Sequence, residues 1–257
     1  MATFKTTYTS IVKDGKKISI VDKKLFDSFN EDILGLGNIE SSSQQINALS
    51  VIFDLEGFTD FCKQIDPQLA VPEYLSKFLK WIFIEIKKET SNKEYPEGID
   101  TWSDLPFLSK YLGDGLLFLW DTKTMDPQNI LNVIISMYEI CQDYKNNFLP
   151  SISKSIVSPP TNLRCGIARG AIYSVGNGSD FVGPCINMSA RLQSLHSLSF
   201  CFSRRGLNPE DMSELYSELF TTKKTDIRGI GTDELVCVVK SEFDKLNSTD
   251  KSKFKHI

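Results

Sequence analysis

The chain has 257 residues, of which 41% are hydrophobic and 24% are charged, so it can form a large domain with a substantial core. Its net charge of −4 disfavours nucleic acid or an anionic membrane as a general partner, because the overall field attracts neither. With only two histidines, the chain is a poor candidate for a zinc site or a histidine-based triad.

The sequence carries no signal for export or membrane insertion. No stretch approaches the roughly 20 apolar residues of a membrane span, and the first eight residues lack the apolar core of a signal peptide. We therefore expect a cytoplasmic protein. Its six cysteines are scattered without a CxxC pair, so we expect them to be free and buried in a reducing compartment.

The pattern of polar and apolar residues divides the chain into three segments. Residues 1–47 predict an extension with a short strand near 18–21 and a helix near 23–34. Residues 48–243 predict the main domain. Residues 244–257 predict a polar, lysine-rich tail that frays.

Within the main domain the predicted elements alternate between strands and helices. They are a strand at 48–54, helices at 58–62 and after Pro67, a polar loop at 89–104, a hairpin at 105–121, a helix at 125–149, a bent strand or strand pair at 163–175, a helix at 183–196 and strands near 199–203 and 226–240. This order predicts an α+β fold of ferredoxin-like type, with a mainly antiparallel sheet and helices on one face.

Asp54 ends the apolar run of the first predicted strand, and Gly57 and Thr59 follow at once. The pattern predicts a buried strand that delivers this carboxylate to a tight turn before a helix. A carboxylate in that position can hold a hard cation, or it can cap the next helix.

Asp114 lies between Gly113 and Gly115, in the turn of the predicted hairpin. In a ferredoxin-like core this hairpin neighbours the first strand, so Asp54 and Asp114 can face each other and share one or two Mg²⁺ or Mn²⁺ ions. An Asp-Gly pair is also a common hairpin turn, which is the simpler interpretation.

Three further polar residues lie in apolar surroundings. Asn187 and Arg191 are four residues apart on a predicted helix and therefore project from one face. Lys110 lies on an alternating strand four residues before Asp114. The alternative for each is a solvated helix or strand surface.

Three stretches carry a family resemblance. Residues 53–59, 110–115 and 180–192 resemble the three signatures of class III nucleotidyl cyclases, in the family's order, and the resemblance covers about 48 to 240. It implies that residues 48–243 form a nucleotidyl cyclase catalytic domain, which turns a nucleoside triphosphate into a 3′,5′-cyclic nucleotide and pyrophosphate.

The resemblance also implies roles for individual residues. Asp54 and Asp114 match the aspartates that bind two divalent metal ions, Mn²⁺ or Mg²⁺, with the Leu55 carbonyl as a backbone ligand. The other matches are Asn187 and Arg191 for the ribose and the transition-state phosphate, Lys110 and Asp180 for the base, and, more weakly, Arg228 for the polyphosphate. Family members form head-to-tail homodimers, in which one chain supplies the metal aspartates and its partner supplies the groups that match Lys110, Asp180, Asn187 and Arg191.

Two parts of the sequence point to different bases in the nucleotide substrate. The pair Lys110 and Asp180 resembles adenylyl cyclases. Residues 57–75 and 113–121 are instead similar to stand-alone bacterial pyrimidine cyclases of Pycsar anti-phage systems, whose cyclic UMP or cyclic CMP activates a separate effector protein. Phe53, together with Phe118 and Trp120, is predicted to narrow the base pocket.

We therefore expect a pyrimidine cyclase that prefers UTP, with CTP possible, and that signals in anti-phage defence. An adenylyl cyclase is the first alternative. A catalytically inactive nucleotide-binding module is the second alternative. Such a module would be expected to lack a metal aspartate or the Asn/Arg pair, and this chain has all of them.

Overall fold

A computed structural model describes residue 5 and residues 7–255. The chain forms two compact units. One comprises Met1–Gln45 with Tyr173–Val182, and the other comprises Ile46–Ile172 with Gly183–Ile257.

The elements are as follows in chain order. The strands are β1 (Thr9–Lys13), β2 (Lys16–Ile20), β3 (Gln45–Glu56), β4 (Ser91–Tyr95), β5 (Gly98–Thr101), β6 (Leu108–Tyr111), β7 (Gly115–Asp121), β8 (Asn162–Val175), β9 (Asp180–Val182), β10 (Phe200–Ser203), β11 (Phe220–Ile227), β12 (Gly231–Val239) and β13 (Phe254–Lys255). The helices are α1 (Lys23–Asp27), α2 (Phe58–Phe61), α3 (Pro67–Thr90), α4 (Pro127–Asp143), α5 (Leu149–Ile152), α6 (Pro184–Leu192), α7 (Glu214–Ser217), α8 (Lys240–Lys245) and α9 (Ser248–Lys251), with 3₁₀ turns at Glu31–Leu34 and Pro209–Asp211 and a π-helical turn at Tyr144–Phe148.

The smaller unit joins the N-terminal segment to the arm formed by the end of β8 and by β9. Hydrogen bonds connect the N-terminal segment to this arm. The Asn177 amide donates to the Leu36 carbonyl at 3.1 Å, and the Gln44 amide donates to Ser174 Oγ at 2.8 Å. The strand predicted at 18–21 corresponds to β2, and the helix predicted at 23–34 corresponds to α1 and the 3₁₀ turn that follows it.

The main sheet has the strand order β13-β11-β12-β10-β8-β3-β7-β6, and β9 pairs with β8. Strand β7 is antiparallel to both β3 and β6. The Thr161 amide bonds to the Glu56 carbonyl and the Ser174 amide to the Gln44 carbonyl, so β8 also runs opposite to β3. This arrangement of β8, β3, β7 and β6 is that of a ferredoxin-like core, which confirms the predicted α+β fold.

Alternation along β3 assigns its two faces. Residues at odd positions, such as Leu49 and Val51, lie in the apolar core together with residues of α3 and α4 such as Phe78 and Ile134. The even positions point the other way, where Ser50 Oγ lies 2.7 Å from Ser189 Oγ of α6. The two long helices thus cover one face, and the shorter α6 packs on the opposite face.

Two predicted irregular segments are regular in the structure. The stretch 89–104 contains the β4–β5 hairpin, whose strands are polar because their residues are exposed. The predicted fraying of the tail is wrong for residues 244–255. Strand β13 pairs with β11, and the buried Phe254 ring packs against Phe243 and His196, so apolar contacts order this polar segment.

All six cysteines are free, and five of them are buried, as predicted. Among residue 5 and residues 7–255, no helix has the length and apolar character needed to cross a bilayer.

Candidate active site

Asp54 is half-buried and projects from the even face of β3, opposite the apolar core. It does not cap the helix that follows. The N-cap of α2 is Gly57, which adopts φ +85° and makes no side-chain capping bond. The helix-capping interpretation of Asp54 is therefore excluded, and its carboxylate is available for another role.

Backbone contacts bring the Asp114 turn against β3. The Leu55 amide donates to the Asp114 carbonyl at 3.1 Å, and Asp54 is the register partner of Gly115. A Cβ at position 115 would overlap the Phe53 carbonyl oxygen, so only glycine allows this close approach. The sequence Asp114-Gly115 thus places one carboxylate beside another rather than serving only as a turn.

The electrostatics of Asp54 reflect this proximity. Burial raises the pKa of the Asp54 carboxyl, the neighbouring Asp114 carboxylate raises it further, and the Arg164 guanidinium partly offsets both. Two partly desolvated carboxylates that repel each other form a place where a cation is stabilised.

The donor set at this position fits a divalent cation. Asp54 and Asp114 would supply carboxylate oxygens and Leu55 a backbone carbonyl, and Mg²⁺ and Mn²⁺ prefer such oxygen ligands. Within the described residues no group of three or more His, Cys, Asp or Glu side chains forms a complete cage. Water and substrate oxygens would complete the coordination.

Arg164 is a member of this site that the sequence analysis missed. It forms an ion pair with Glu56, and Asn162 Nδ2 donates to the same carboxylate at 2.6 Å. The signal was present in the sequence, because Arg164 alternates on β8 with the buried Leu163 and Cys165. A charged residue between two apolar ones on a strand indicates the polar face of the sheet.

Phe53 does not line a pocket. Its side chain has no exposed surface and packs edge-on against Phe118, with ring centroids 6.1 Å apart. The predicted substrate contact by Phe53 is wrong, because odd positions of β3 point into the apolar core. Phe118 and Trp120 are also buried, so none of the three aromatic rings narrows a base site in the described chain.

Helix α6 presents Asn187 and Arg191 on its exposed side. Two glycines set the position of the helix. A Cβ on Gly166 would overlap the Ser189 carbonyl and the Gln193 amide, and a Cβ on Gly183 would approach the Ala171 carbonyl at 2.7 Å. The helix backbone therefore lies directly against β8.

Asn187 lines a cavity of about 520 Å³ in the larger unit. Two arginines that the sequence analysis did not select also line it. Arg205 Nε donates to Glu234 Oε2 at 3.0 Å, and an Arg169 guanidinium nitrogen donates to the Gly206 carbonyl at 3.3 Å. Arginine and asparagine donors around one cavity suit an anionic ligand.

The remaining predicted residues lie on other elements. Lys110 is half-buried on β6, opposite Leu117 of β7. Asp180 begins β9 and belongs to the smaller unit, where its Oδ1 accepts the Phe181 amide at 2.9 Å. Arg228 is exposed in the turn between β11 and β12.

The structure therefore brings together Asp54, Leu55 and Asp114 but leaves the other predicted groups on separate elements. Asn187 shares its cavity with Gly229, the residue after Arg228. Arg191 is not among the residues that line that cavity.

Comparison with solved structures assigns the fold. The chain superposes on the adenylyl cyclase CyaB from P. aeruginosa with a TM-score of 0.57 at 14% identity, over 77% of this chain and 95% of that one. For the guanylyl cyclase Cya2 the TM-score is 0.57 at 15% identity, over 77% and 93%. For the catalytic core of a rhodopsin-guanylyl cyclase with converted specificity, in complex with ATPαS, it is 0.53 at 14% identity, over 77% and 98%.

The chain thus has the fold of class III cyclase catalytic domains. No protein-family model matches the sequence, and a search of curated proteins also found no match.

Proposed function

We propose that this chain is a nucleotidyl cyclase, which converts a nucleoside triphosphate to the 3′,5′-cyclic nucleotide and pyrophosphate. The observation that carries the proposal is the pair Asp54 and Asp114, held side by side in a fold that cyclases share. Two divalent ions bound there, Mn²⁺ or Mg²⁺, would lower the pKa of the ribose 3′-hydroxyl and neutralise charge on the triphosphate.

The chain's own polar groups have separate tasks in this proposal. Asn187 orients the ribose, and Arg191 offers a fixed cation to the charge that develops on the α-phosphate. Arg228 holds the leaving pyrophosphate from its exposed turn. Lys110 and Asp180 contact the base.

We further propose a head-to-tail homodimer with two equivalent active sites at the interface. One chain supplies Asp54 and Asp114, and its partner supplies Asn187 and Arg191. The family resemblance supports this arrangement. It is also consistent with the exposure of both α6 residues, which leaves them accessible to a second chain.

For the base we propose a pyrimidine, with UTP ahead of CTP. The similarity of residues 57–75 and 113–121 to Pycsar cyclases supports this substrate class. The product would act as a second messenger in anti-phage defence and would activate a separate effector protein in the cytoplasm.

An adenylyl cyclase is the leading alternative, supported by Lys110 and Asp180 and by the adenylyl cyclase among the structural neighbours. A module that binds nucleotide without turnover is the second alternative. The presence of both aspartates and of the Asn187 and Arg191 pair disfavours it.

One experiment separates these functions. The purified protein is incubated with ATP, GTP, CTP or UTP and Mn²⁺, and the products are resolved by chromatography. We expect cyclic UMP to dominate. Cyclic AMP as the main product would replace the pyrimidine proposal with the alternative, and absence of any product from all four substrates would favour the inactive module.

A further inference from the structure

The β1–β2 hairpin has one apolar face. Its register pairs Ile11 with Ile18, Thr9 with Ile20, and Lys13 with Lys16, and paired residues of an antiparallel hairpin share a face. Three isoleucines therefore lie together, with two lysines at the turn end of the same face. The opposite face carries Ser10, Val12, Lys17 and Ser19.

This apolar face is partly accessible to solvent in the described part of the chain. Every residue of both strands is exposed, with Ile11, Ile18 and Ile20 between 37% and 43% accessible. A two-stranded hairpin is marginally stable by itself in water, because it buries too little apolar surface. The isoleucine face is thus suited to packing against another surface.

The charge of this segment differs from that of the rest of the chain. Residues 1–24 contain six lysines and two aspartates, a net charge of +4. Because the whole chain has −4, the remaining residues carry −8. A second copy of this chain therefore offers an acidic body to the basic hairpin, and opposite charge favours their encounter.

The β4–β5 hairpin is the complementary feature. It is also a separate two-stranded sheet in which every strand residue is exposed. Its charged residues are Glu94, Glu97 and Asp100, with a single lysine, Lys93. Ile99 is 62% exposed and lies opposite Glu94 on one face, so an apolar side chain and a carboxylate are presented together.

We propose that β1–β2 of one copy packs on β4–β5 of a second copy in a dimer of this chain. The isoleucine face covers Ile99, and Lys13 and Lys16 lie against Glu94 and Glu97. The inference rests on the homodimer of the proposed function and not on the reaction that the dimer catalyses.

A charge exchange tests the contact through the dimer dissociation constant, measured by sedimentation. The double variant Lys13→Glu with Lys16→Glu, and separately Glu94→Lys with Glu97→Lys, should each weaken the dimer at least about tenfold, because like charges then face each other. A chain that carries all four changes should regain most of the affinity.

The matched control is Lys17→Glu with Lys123→Glu. This variant makes the same change in net charge as Lys13→Glu with Lys16→Glu, but Lys17 lies on the other hairpin face and Lys123 lies in a different exposed turn. Its dissociation constant should stay within about twofold of wild type. An equal loss in the control, or no recovery in the fourfold variant, overturns the proposal.

Cross-linking distinguishes contact between copies from contact within one chain. An Ile18→Cys chain and an Ile99→Cys chain with a different tag are mixed and treated with a short bismaleimide. We expect a covalent dimer that carries both tags, above the background of the unmutated chain. The proposal is overturned if the mixture gives no such dimer, or if a chain with both cysteines yields only a linked monomer.

These readouts are independent of turnover. A dimer with the expected cross-link but without cyclic product would leave this inference standing and refute the proposed function. Cyclic product from a dimer that is insensitive to the charge changes would refute this inference and leave the proposed function standing.

Discussion

Asp54 is less stable as a carboxylate in the folded chain than in water. Burial disfavours its charge, Asp114 repels it, and Arg164 compensates for part of this effect while also pairing with Glu56. A bound cation would stabilise a carboxylate in such surroundings more than it would stabilise one in water. At the scale of single residues, the site is therefore a region of excess negative charge.

The raised pKa of Asp54 predicts a specific dependence of stability on pH without metal. Ionised Asp54 destabilises the folded state at neutral pH, and this effect disappears as the pH falls through the raised pKa and the group becomes protonated in the fold. Asp54→Asn should therefore raise the melting temperature by about 2 °C at pH 7 in EDTA. At about pH 3 and below the two proteins should converge, since Asp54 is then neutral in both the folded and the unfolded chain.

Calorimetry of the two proteins from pH 3 to pH 8 measures this difference. Asp60→Asn is the control, because Asp60 is exposed and does not belong to a partly buried pair of carboxylates. A variant that is less stable than wild type at pH 7 would contradict the assignment of Asp54 as an electrostatically strained group.

Asp114→Asn tests the metal assignment through activity. The amide keeps the size of the side chain but is a much poorer ligand for a hard cation, so turnover with Mn²⁺ should fall at least about a hundredfold. Circular dichroism and sedimentation should show an unchanged fold and dimer. Full activity in this variant would mean that Asp114 is a turn residue only.

At the scale of elements, two glycines determine where the functional groups lie. Gly115 allows the hairpin of β6 and β7 to approach β3 closely, and Gly166 allows the backbone of α6 to rest on β8. The hydrogen bond between the buried hydroxyls of Ser50 and Ser189 fixes the same helix from another strand. Helix α6 therefore presents Asn187 from a rigid support.

Gly166→Ala should reduce activity without altering any functional side chain. The added methyl group would overlap the Ser189 carbonyl, so α6 must shift outward and carry Asn187 with it. We expect a loss of stability of about 1–3 kcal/mol and a clear fall in kcat.

Gly170→Ala on the same strand is the matched control for stability, because its Cβ would meet only the Cys185 side chain, at 3.2 Å. Gly170 lines the same cavity as Asn187, so its rate is not used as a control. Denaturant unfolding compares the two variants. Equal behaviour of the two would show that the backbone contact at Gly166 does not position the helix.

At the scale of the whole molecule, the proposed active site requires two chains. Each chain contains Asp54, Asp114, Asn187 and Arg191, so a homodimer forms two equivalent sites. The hairpin contact proposed above would add a second type of contact to the same dimer.

Mixing two inactive chains tests the shared site. Asp54→Ala and Arg191→Ala chains should each be inactive alone, but their heterodimer contains one site without either change. After random exchange, half of the dimers are mixed and each has one intact site, so about a quarter of the wild-type rate should return. No recovery, with exchange verified by tagged chains, would place all catalytic groups within one chain.

Much of the fold was predictable because its elements are regular in sequence. The apolar run of β3, the Gly-Asp-Gly turn and the period of α4 each indicated their element, and the ferredoxin-like strand order followed from them. The β4–β5 hairpin and the ordered tail were not predicted. The strands of the β4–β5 hairpin are largely polar and lack the alternation that predicts a strand. The ordered tail depends on the pairing of β13 with β11, about 30 residues away in the chain.

The sequence by itself indicated which residues belong to the candidate site. Asp54 ends a predicted strand, Asp114 lies in a predicted hairpin turn, and Asn187 lies on one face of a predicted helix. The tertiary structure alone decided which face each occupies and what surrounds it. In the folded chain Phe53 is buried in the core, Arg164 lies near Asp54, and Gly115 is in close contact with the backbone of β3. These outcomes depend on which strands lie next to one another, and alternation along a single strand does not specify its neighbours.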